Sequence, residues 1–175
     1  GDYNTQGTSN TLSVNLPDSN STTLSFSGNA LPLAEDGLSA PDPGDWALFV
    51  ATDNDAADAA AGKDLFNVHV AMTKGSDRYS FIVHRDTDGS ATPSDIQCDT
   101  MSTGYTDYNF YVEDLGDGTH GRPPDTRSCG GANLNICEDF TASFYVEVML
   151  NAGELPTCDG YAIEITNGDW TTTPP

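Results

Sequence analysis

Acidic side chains gather in three places along this sequence, and in each place several oxygen ligands fall within a single loop. Because Ca²⁺ takes six to eight oxygens without strict geometry, such loops predict calcium sites. None of them fits the twelve-residue helix–loop–helix motif, which needs Gly at its sixth position and Glu at its twelfth. Asp is also a common turn residue, so a purely structural role is the competing interpretation. The three clusters are Asp86, Asp88 and Asp95; Asp114, Asp117 and Asp125; and Asp53, Asp55 and Asp58.

The other reactive side chains form no recognisable catalytic arrangement. His69, His84 and His120 have no Cys or carboxylate at a zinc-ligand spacing, and the first two are expected on the solvent side of strands. No Ser lies in a Gly-x-Ser-x-Gly turn, and no Cys is expected to be free as a nucleophile. A glycosidase needs only two carboxylates at a suitable distance, but the sequence does not identify such a pair. We therefore expect a protein that is not an enzyme, with a small secreted hydrolase as the minor alternative.

Aromatic side chains could stack against sugar rings if their flat faces were exposed. The alternation of the strands that carry them places several in the core instead, so the sequence leaves both interpretations open. The candidates are Trp46, Tyr105, Tyr108, Tyr111 and Trp170.

Four cysteines lie in the second half of the chain, and none belongs to a pair two residues apart of the kind that binds metals: Cys98, Cys129, Cys137 and Cys158. An even number without metal spacing predicts two disulfides formed in an oxidising compartment. Three pairings are possible. A weak repeat, in which a strand and an acidic loop end in Cys98 and again in Cys129, favours joining these two and joining Cys137 to Cys158. Each bridge would stabilise the fold by roughly 3 kcal/mol.

The composition also restricts the partners of the chain. Twenty-seven acidic and six basic residues give a net charge of −21 over 175 residues, which disfavours nucleic acid and anionic lipid and favours cations or a saline medium. The longest apolar stretch, Phe140–Leu150, is shorter than the ~20 residues of a membrane span. The start at Gly1 is expected for an exported chain after signal-peptide removal, or for a cleaved tag. We expect one extracellular or cell-surface domain over residues 1–175.

Apolar alternation predicts an all-β fold, a single antiparallel β-sandwich or jelly-roll-like domain built from eight strands. The clearest pair is expected to be a hairpin whose strands are joined by the turn at residues 74–77. One short helix is predicted over Asp55–Lys63, with Asp53 or Asn54 as its cap. Long loops rich in Gly, Asp and Pro cover residues 30–44 and 116–135. The predicted strands are Thr11–Leu16, Thr22–Ser27, Trp46–Thr52, Leu65–Thr73, Arg78–His84, Tyr108–Glu113, Phe140–Leu150 and Tyr161–Thr166.

The C-terminal stretch resembles the disulfide-closed end of a type IV pilin head. Cys137 and Cys158 bracket an apolar segment at 144–148, and the strand-like segment Gly160–Ile165 follows. The resemblance covers this stretch alone and implies a subunit of an extracellular filament. The sequence departs from the pilin pattern because it lacks the long apolar N-terminal helix, which a separate chain would have to provide.

The N-terminal segment, residues 1–16, suggests a second route to assembly. Leu12, Val14 and Leu16 alternate as in a strand that completes the sheet of a neighbouring subunit, although such a strand could equally dock on its own domain. The sequence therefore predicts a structural subunit of an extracellular filament, pilus-like appendage or surface layer. Its partners would be copies of itself or a companion surface subunit. The alternative is a secreted Ca²⁺-dependent carbohydrate-binding or adhesive module that binds glycans.

Overall fold

The computed structural model describes most of the predicted strands but not the long loops. The described residues are 10–18, 22–29, 45–61, 65–86, 97–98, 104–110, 139–154 and 159–168. They contain the strands β1 (Asn10–Pro17), β2 (Thr23–Gly28), β3 (Asp45–Thr52), β4 (Val68–Lys74), β5 (Tyr79–Asp86), β6 (Gln97–Cys98), β7 (Asp107–Asn109), β8 (Ala142–Leu150) and β9 (Tyr161–Asn167), and the helix α1 (Asp55–Ala61).

The described strands form two sheets. The first has the order β1-β3-β8-β5-β6, and the second has the order β2-β9-β4-β7. Their strand pairs are antiparallel except for β1 and β3, which run parallel. The predicted all-β class is confirmed for these residues. Each predicted strand overlaps an observed one, and the short β6 is an addition that the sequence did not predict.

One hydrophobic core takes side chains from both sheets. In the first sheet, Phe49 of β3 and Phe144 of β8 stack with ring centroids 5.5 Å apart. Tyr79 of the first sheet meets Tyr161 of the second, also at 5.5 Å. Each large apolar side chain buried in this way contributes about 1.5–3 kcal/mol, so the shared core is what holds the two sheets together.

The predicted hairpin of β4 and β5 is wrong. β4 pairs with β7 and β9, whereas β5 pairs with β6 and β8, so the chain passes from the second sheet to the first between them. Gly75, with φ +83°, starts this passage, and its carbonyl accepts the amides of Arg78 and Tyr79 at 2.9 and 2.8 Å. The predicted apolar faces are correct, since Val70 and Phe81 are fully buried. Alternation identifies the face of a strand that is buried but does not show whether the next strand lies beside it or across the core.

β1 forms one edge of the first sheet, with β3 as its strand neighbour. The register between the two strands shifts between Thr11 and Asn15. Thr11 pairs with Leu48, and the next pair joins Asn15 to Val50, so β1 contains more residues than β3 over this interval. Leu16 has no exposed surface, and Leu12 is partly buried against the core. β1 is therefore docked on its own domain and closes one side of the core.

The short helix follows β3 directly. Asn54 is its cap, because its Oδ1 accepts the amides of Ala56 and Ala57, both at 3.2 Å. Of the two predicted caps, Asn54 is therefore correct, and Asp53 is available for other contacts. Among the described residues, no helix has the length and apolar character that a membrane crossing requires.

Candidate functional site

Three carboxylates from separate segments converge where β1 and β3 end. Asp18 directly follows β1, Asp53 directly follows β3, and Asp58 lies on α1. Each offers one oxygen, and these oxygens lie within 4.8 Å of one another. Asp18 and Asp58 are buried, whereas Asp53 is partly buried. Parallel pairing explains the convergence: Pro17 lies opposite Thr52, so the residues that follow them emerge side by side. We call these three residues the Asp18 cluster.

Backbone amides fix the position of each carboxylate in the Asp18 cluster. Oδ2 of Asp18 accepts the Asn54 amide at 2.9 Å. Oδ2 of Asp53 accepts the Phe140 amide at 2.9 Å, and Oδ1 of Asp58 accepts the Leu65 amide at 2.8 Å. A side-chain hydrogen bond also joins Asp53 to Asp58, so one of these two carboxyl groups carries the shared proton. The cluster thus connects the ends of β1 and β3 with α1 and the segments that precede β4 and β8.

Burial is the main cause of the raised pKa of Asp53, which is about 7 against an ordinary value of 3.8. The Phe140 amide favours the ionised form and lowers the pKa, whereas the neighbouring Asp58 and Asp18 raise it. The physical reason is that negative charges are confined together away from water. A proton or a cation at this position would relieve the repulsion.

Without a bound cation, we expect the free energy of unfolding to fall as the pH rises from about 4 to about 7. Over this range native Asp53 keeps a proton that the unfolded chain has released. The protonated carboxyl group therefore contributes fully to the free energy of unfolding below the ordinary pKa of 3.8, and this contribution is lost by pH about 7. Urea unfolding in chelator at several pH values measures this fall. Asp53→Asn cannot ionise and should show a smaller fall. An identical pH profile in wild type and variant would contradict the assignment.

The predicted acidic clusters are only partly tested by the described residues. Asp53 and Asp58 come together as predicted, but their third neighbour is Asp18, while the side chain of Asp55 lies outside the description. Asp86 is buried on β5. The remaining predicted ligands lie outside the described residues: Asp88, Asp95, Asp114, Asp117 and Asp125.

The two described histidines have carboxylate partners. His69 Nε2 lies 3.0 Å from Oδ1 of Asp107, and His69 is partly exposed, in line with its predicted place. His84 was predicted on the solvent side, which is wrong, since it is only 7 % exposed. It stacks on Trp46 with centroids 5.1 Å apart, and its Nε2 lies 3.2 Å from Oε2 of Glu147.

The aromatic candidates for sugar stacking do not form an exposed platform among the described residues. Tyr108 is fully buried, and Tyr105 is packed against the core. Trp46 is half-buried and has one ring face against His84. Tyr111 and Trp170 lie outside the described residues.

Two further sets of predicted residues are described only in part. Leu12 and Leu16 of the assembly strand contact the core of their own domain, whereas the side chain of Val14 is not described. Cys98 lies on β6, paired through its backbone with His84, and its side chain is not described. The other cysteines, Cys129, Cys137 and Cys158, fall outside the described residues, so the disulfides stay a prediction.

No protein-family model matches the chain, and neither a curated protein nor a solved structure matches it. Among the described residues, β1 and the Asp18 cluster have the clearest geometry.

Proposed function

We propose that this chain is a non-enzymatic structural subunit of an extracellular filament, pilus-like appendage or surface layer, and that subunits join by exchanging β1. The observation that supports this most directly is the place of β1, which lies at a sheet edge yet buries Leu16 completely. When such a strand leaves, it opens an apolar groove along β3. The groove can then accept β1 from another copy of the chain.

The connections of β1 also favour exchange. Among the described strands, β1 pairs only with β3, and β2, the next strand along the chain, lies in the other sheet. Removing β1 therefore breaks one strand ladder among the described residues and leaves the other pairs in place. That ladder is parallel and interrupted by a register shift, both of which weaken an edge contact.

The proposal also includes the packing of the two sheets and the disulfides of the subunit. The two sheets would form a β-sandwich of the jelly-roll type, stiffened by two disulfides among the four cysteines and kept soluble by the charge of −21. Thiol titration of the denatured, unreduced chain should find no free sulfhydryl. Two or more free thiols would contradict both the disulfides and the exported location.

Sedimentation velocity of the purified chain tests the assembly. In a saline buffer with calcium, we expect oligomers whose size increases with protein concentration, because exchange between chains competes with docking inside one chain. A compact monomer at every concentration would contradict the proposal. It would favour a secreted carbohydrate-binding or adhesive module instead, which glycan-binding measurements would then address.

A further inference from the structure

We propose that Asn167 is the docking residue for β1, because its buried side-chain amide holds the backbone of this strand from across the core. The role holds for a strand of the same chain, whereas its consequence for assembly rests on the proposed exchange of β1.

Asn167 connects the two sheets at the end of β9. It belongs to the second sheet and has no exposed surface. Its Nδ2 donates to the carbonyl oxygen of Leu16 at 3.0 Å and to that of Thr52 at 3.2 Å. Leu16 lies on β1, and Thr52 is the last residue of β3. One amide group therefore bridges the two strands whose separation releases β1.

The orientation of this amide is fixed by its partners. Its Oδ1 accepts the backbone amide of Asn67 at 2.9 Å. A backbone amide can only donate and a carbonyl can only accept, so the oxygen must face Asn67 and the NH₂ group must face the two carbonyls. Gly168, the next residue, donates its amide to the Asn67 carbonyl at 3.3 Å. This second contact holds the end of β9 against the segment before β4.

Most of this arrangement does not depend on β1. Asn67 and Thr52 belong to the body of the domain, so they keep the side-chain amide in place when β1 leaves. One of its two N–H groups then loses the Leu16 carbonyl. A donor that faces an apolar groove without a partner is costly, and the carbonyl of an incoming strand removes that cost. Asn167 is thus a preformed receptor for a strand backbone.

The contact defines the kind of strand that fits. Asn167 binds a backbone carbonyl, which every extended segment offers, so the side chains of the strand must provide the selectivity. Leu16 fills a fully buried position beside this carbonyl, and Leu12 also packs against the core. The partner is therefore an extended segment with apolar side chains at alternate positions. β1 of a second copy meets these requirements and is the occupant that we propose.

Hydrogen exchange in the full-length chain tests the contact. Asn167→Asp has nearly the same shape and keeps an acceptor for the Asn67 amide, but it loses both donated bonds. We expect the β1 amides to exchange about tenfold faster or more, relative to those of the central strand β8. Asn109→Asp is the matched control, since Asn109 is also buried in the second sheet, on β7, which β4 separates from β9. It should leave this ratio at the wild-type value.

Mixing two variants tests capture between chains. Leu16→Asp places a charge on β1 but keeps the receptor amide, whereas Asn167→Asp keeps an intact β1 but loses the receptor. Sedimentation should find that neither variant alone forms the oligomers of the wild type, and that an equimolar mixture contains complexes with one chain of each. A merely misfolded Asn167→Asp chain has no strand to donate, so this complex separates a docking role from a general loss of structure.

A measurement on the wild type covers the case in which Asn167→Asp does not fold. Nuclear magnetic resonance should find the side-chain amide protons of Asn167 protected from solvent exchange, in contrast to those of Asn15, whose side chain is exposed. Equal exchange rates for the two side chains would contradict the contact.

Several other results would overturn the proposal. These are an unchanged ratio of hydrogen-exchange rates in Asn167→Asp, or an equal change in Asn109→Asp. Selective release of β1 without a complex in the mixture would support the docking role and reject strand exchange between chains. Wild-type oligomers formed by Asn167→Asp, with unchanged hydrogen exchange, would reject the docking role and leave strand exchange standing. The two failures can therefore be told apart.

Discussion

Phe144→Ala is expected to lower the free energy of unfolding by about 3–5 kcal/mol, a large part of the stability of a domain of this size. Phe144 is fully buried on β8, which lies between β3 and β5 in the first sheet. Its ring stacks on Phe49 at 5.5 Å and lies 6.4 Å from both Phe66 and Phe110. Since these neighbours come from several segments, they cannot all move to fill the space that the ring leaves.

Urea unfolding measures this effect as a lower midpoint with an unchanged slope. Val50→Ala is the control, because Val50 lies on the neighbouring strand β3 but is 38 % exposed. Its loss should remain below about 1 kcal/mol. If both variants lose the same stability, Phe144 does not lie in the core as the structure places it.

Leu16→Asp is expected to displace β1 from its groove. Truncating a buried Leu to Ala costs about 2–5 kcal/mol, and an unpaired charge in an apolar environment adds to this loss. The rest of the core should persist, because β3 is the one described strand with which β1 pairs. We therefore expect a folded domain with a lower melting temperature, an exposed apolar groove and no ability to donate β1 to another copy.

Dye binding to apolar surface, together with sedimentation, distinguishes this outcome from global unfolding. Asn15→Asp is the matched control, since it adds the same charge to the exposed neighbour of Leu16 on the same strand. Asn15→Asp should retain both melting temperature and oligomers. Oligomers that persist in Leu16→Asp would show that assembly does not depend on insertion of β1.

The strands were predictable because burial on one face of a strand produces a local alternation in the sequence. The run containing Val68, Val70 and Met72 and the run containing Tyr79, Phe81 and Val83 both show it, and all six side chains are buried. The partner of each strand was not predictable, because pairing joins residues far apart in the chain. For this reason β4 and β5 look like a hairpin in the sequence and lie in different sheets in the structure.

The Asp18 cluster was half predictable for the same reason. Asp53 and Asp58 are close in the sequence, but Asp18 reaches them only through the parallel register that sets Pro17 opposite Thr52. A single acidic residue after a predicted strand gives no signal of its own. The burial of His84 was not predictable either. Alternation places His84 on the outer face of the sheet, but it does not show that Trp46 covers the imidazole there.

The most direct test of strand exchange is a disulfide trap between β1 and β3 in the full-length chain. Asn15 and Val50 are register partners, and both are exposed, so Asn15→Cys combined with Val50→Cys places two thiols within bridging distance across the ladder. Oxidised protein is then separated on a denaturing, non-reducing gel, with each single variant as a control. Exchange of β1 predicts a ladder of covalently linked chains that collapses to one band on reduction. Complete cross-linking within single chains, at protein concentrations high enough for assembly, would contradict it.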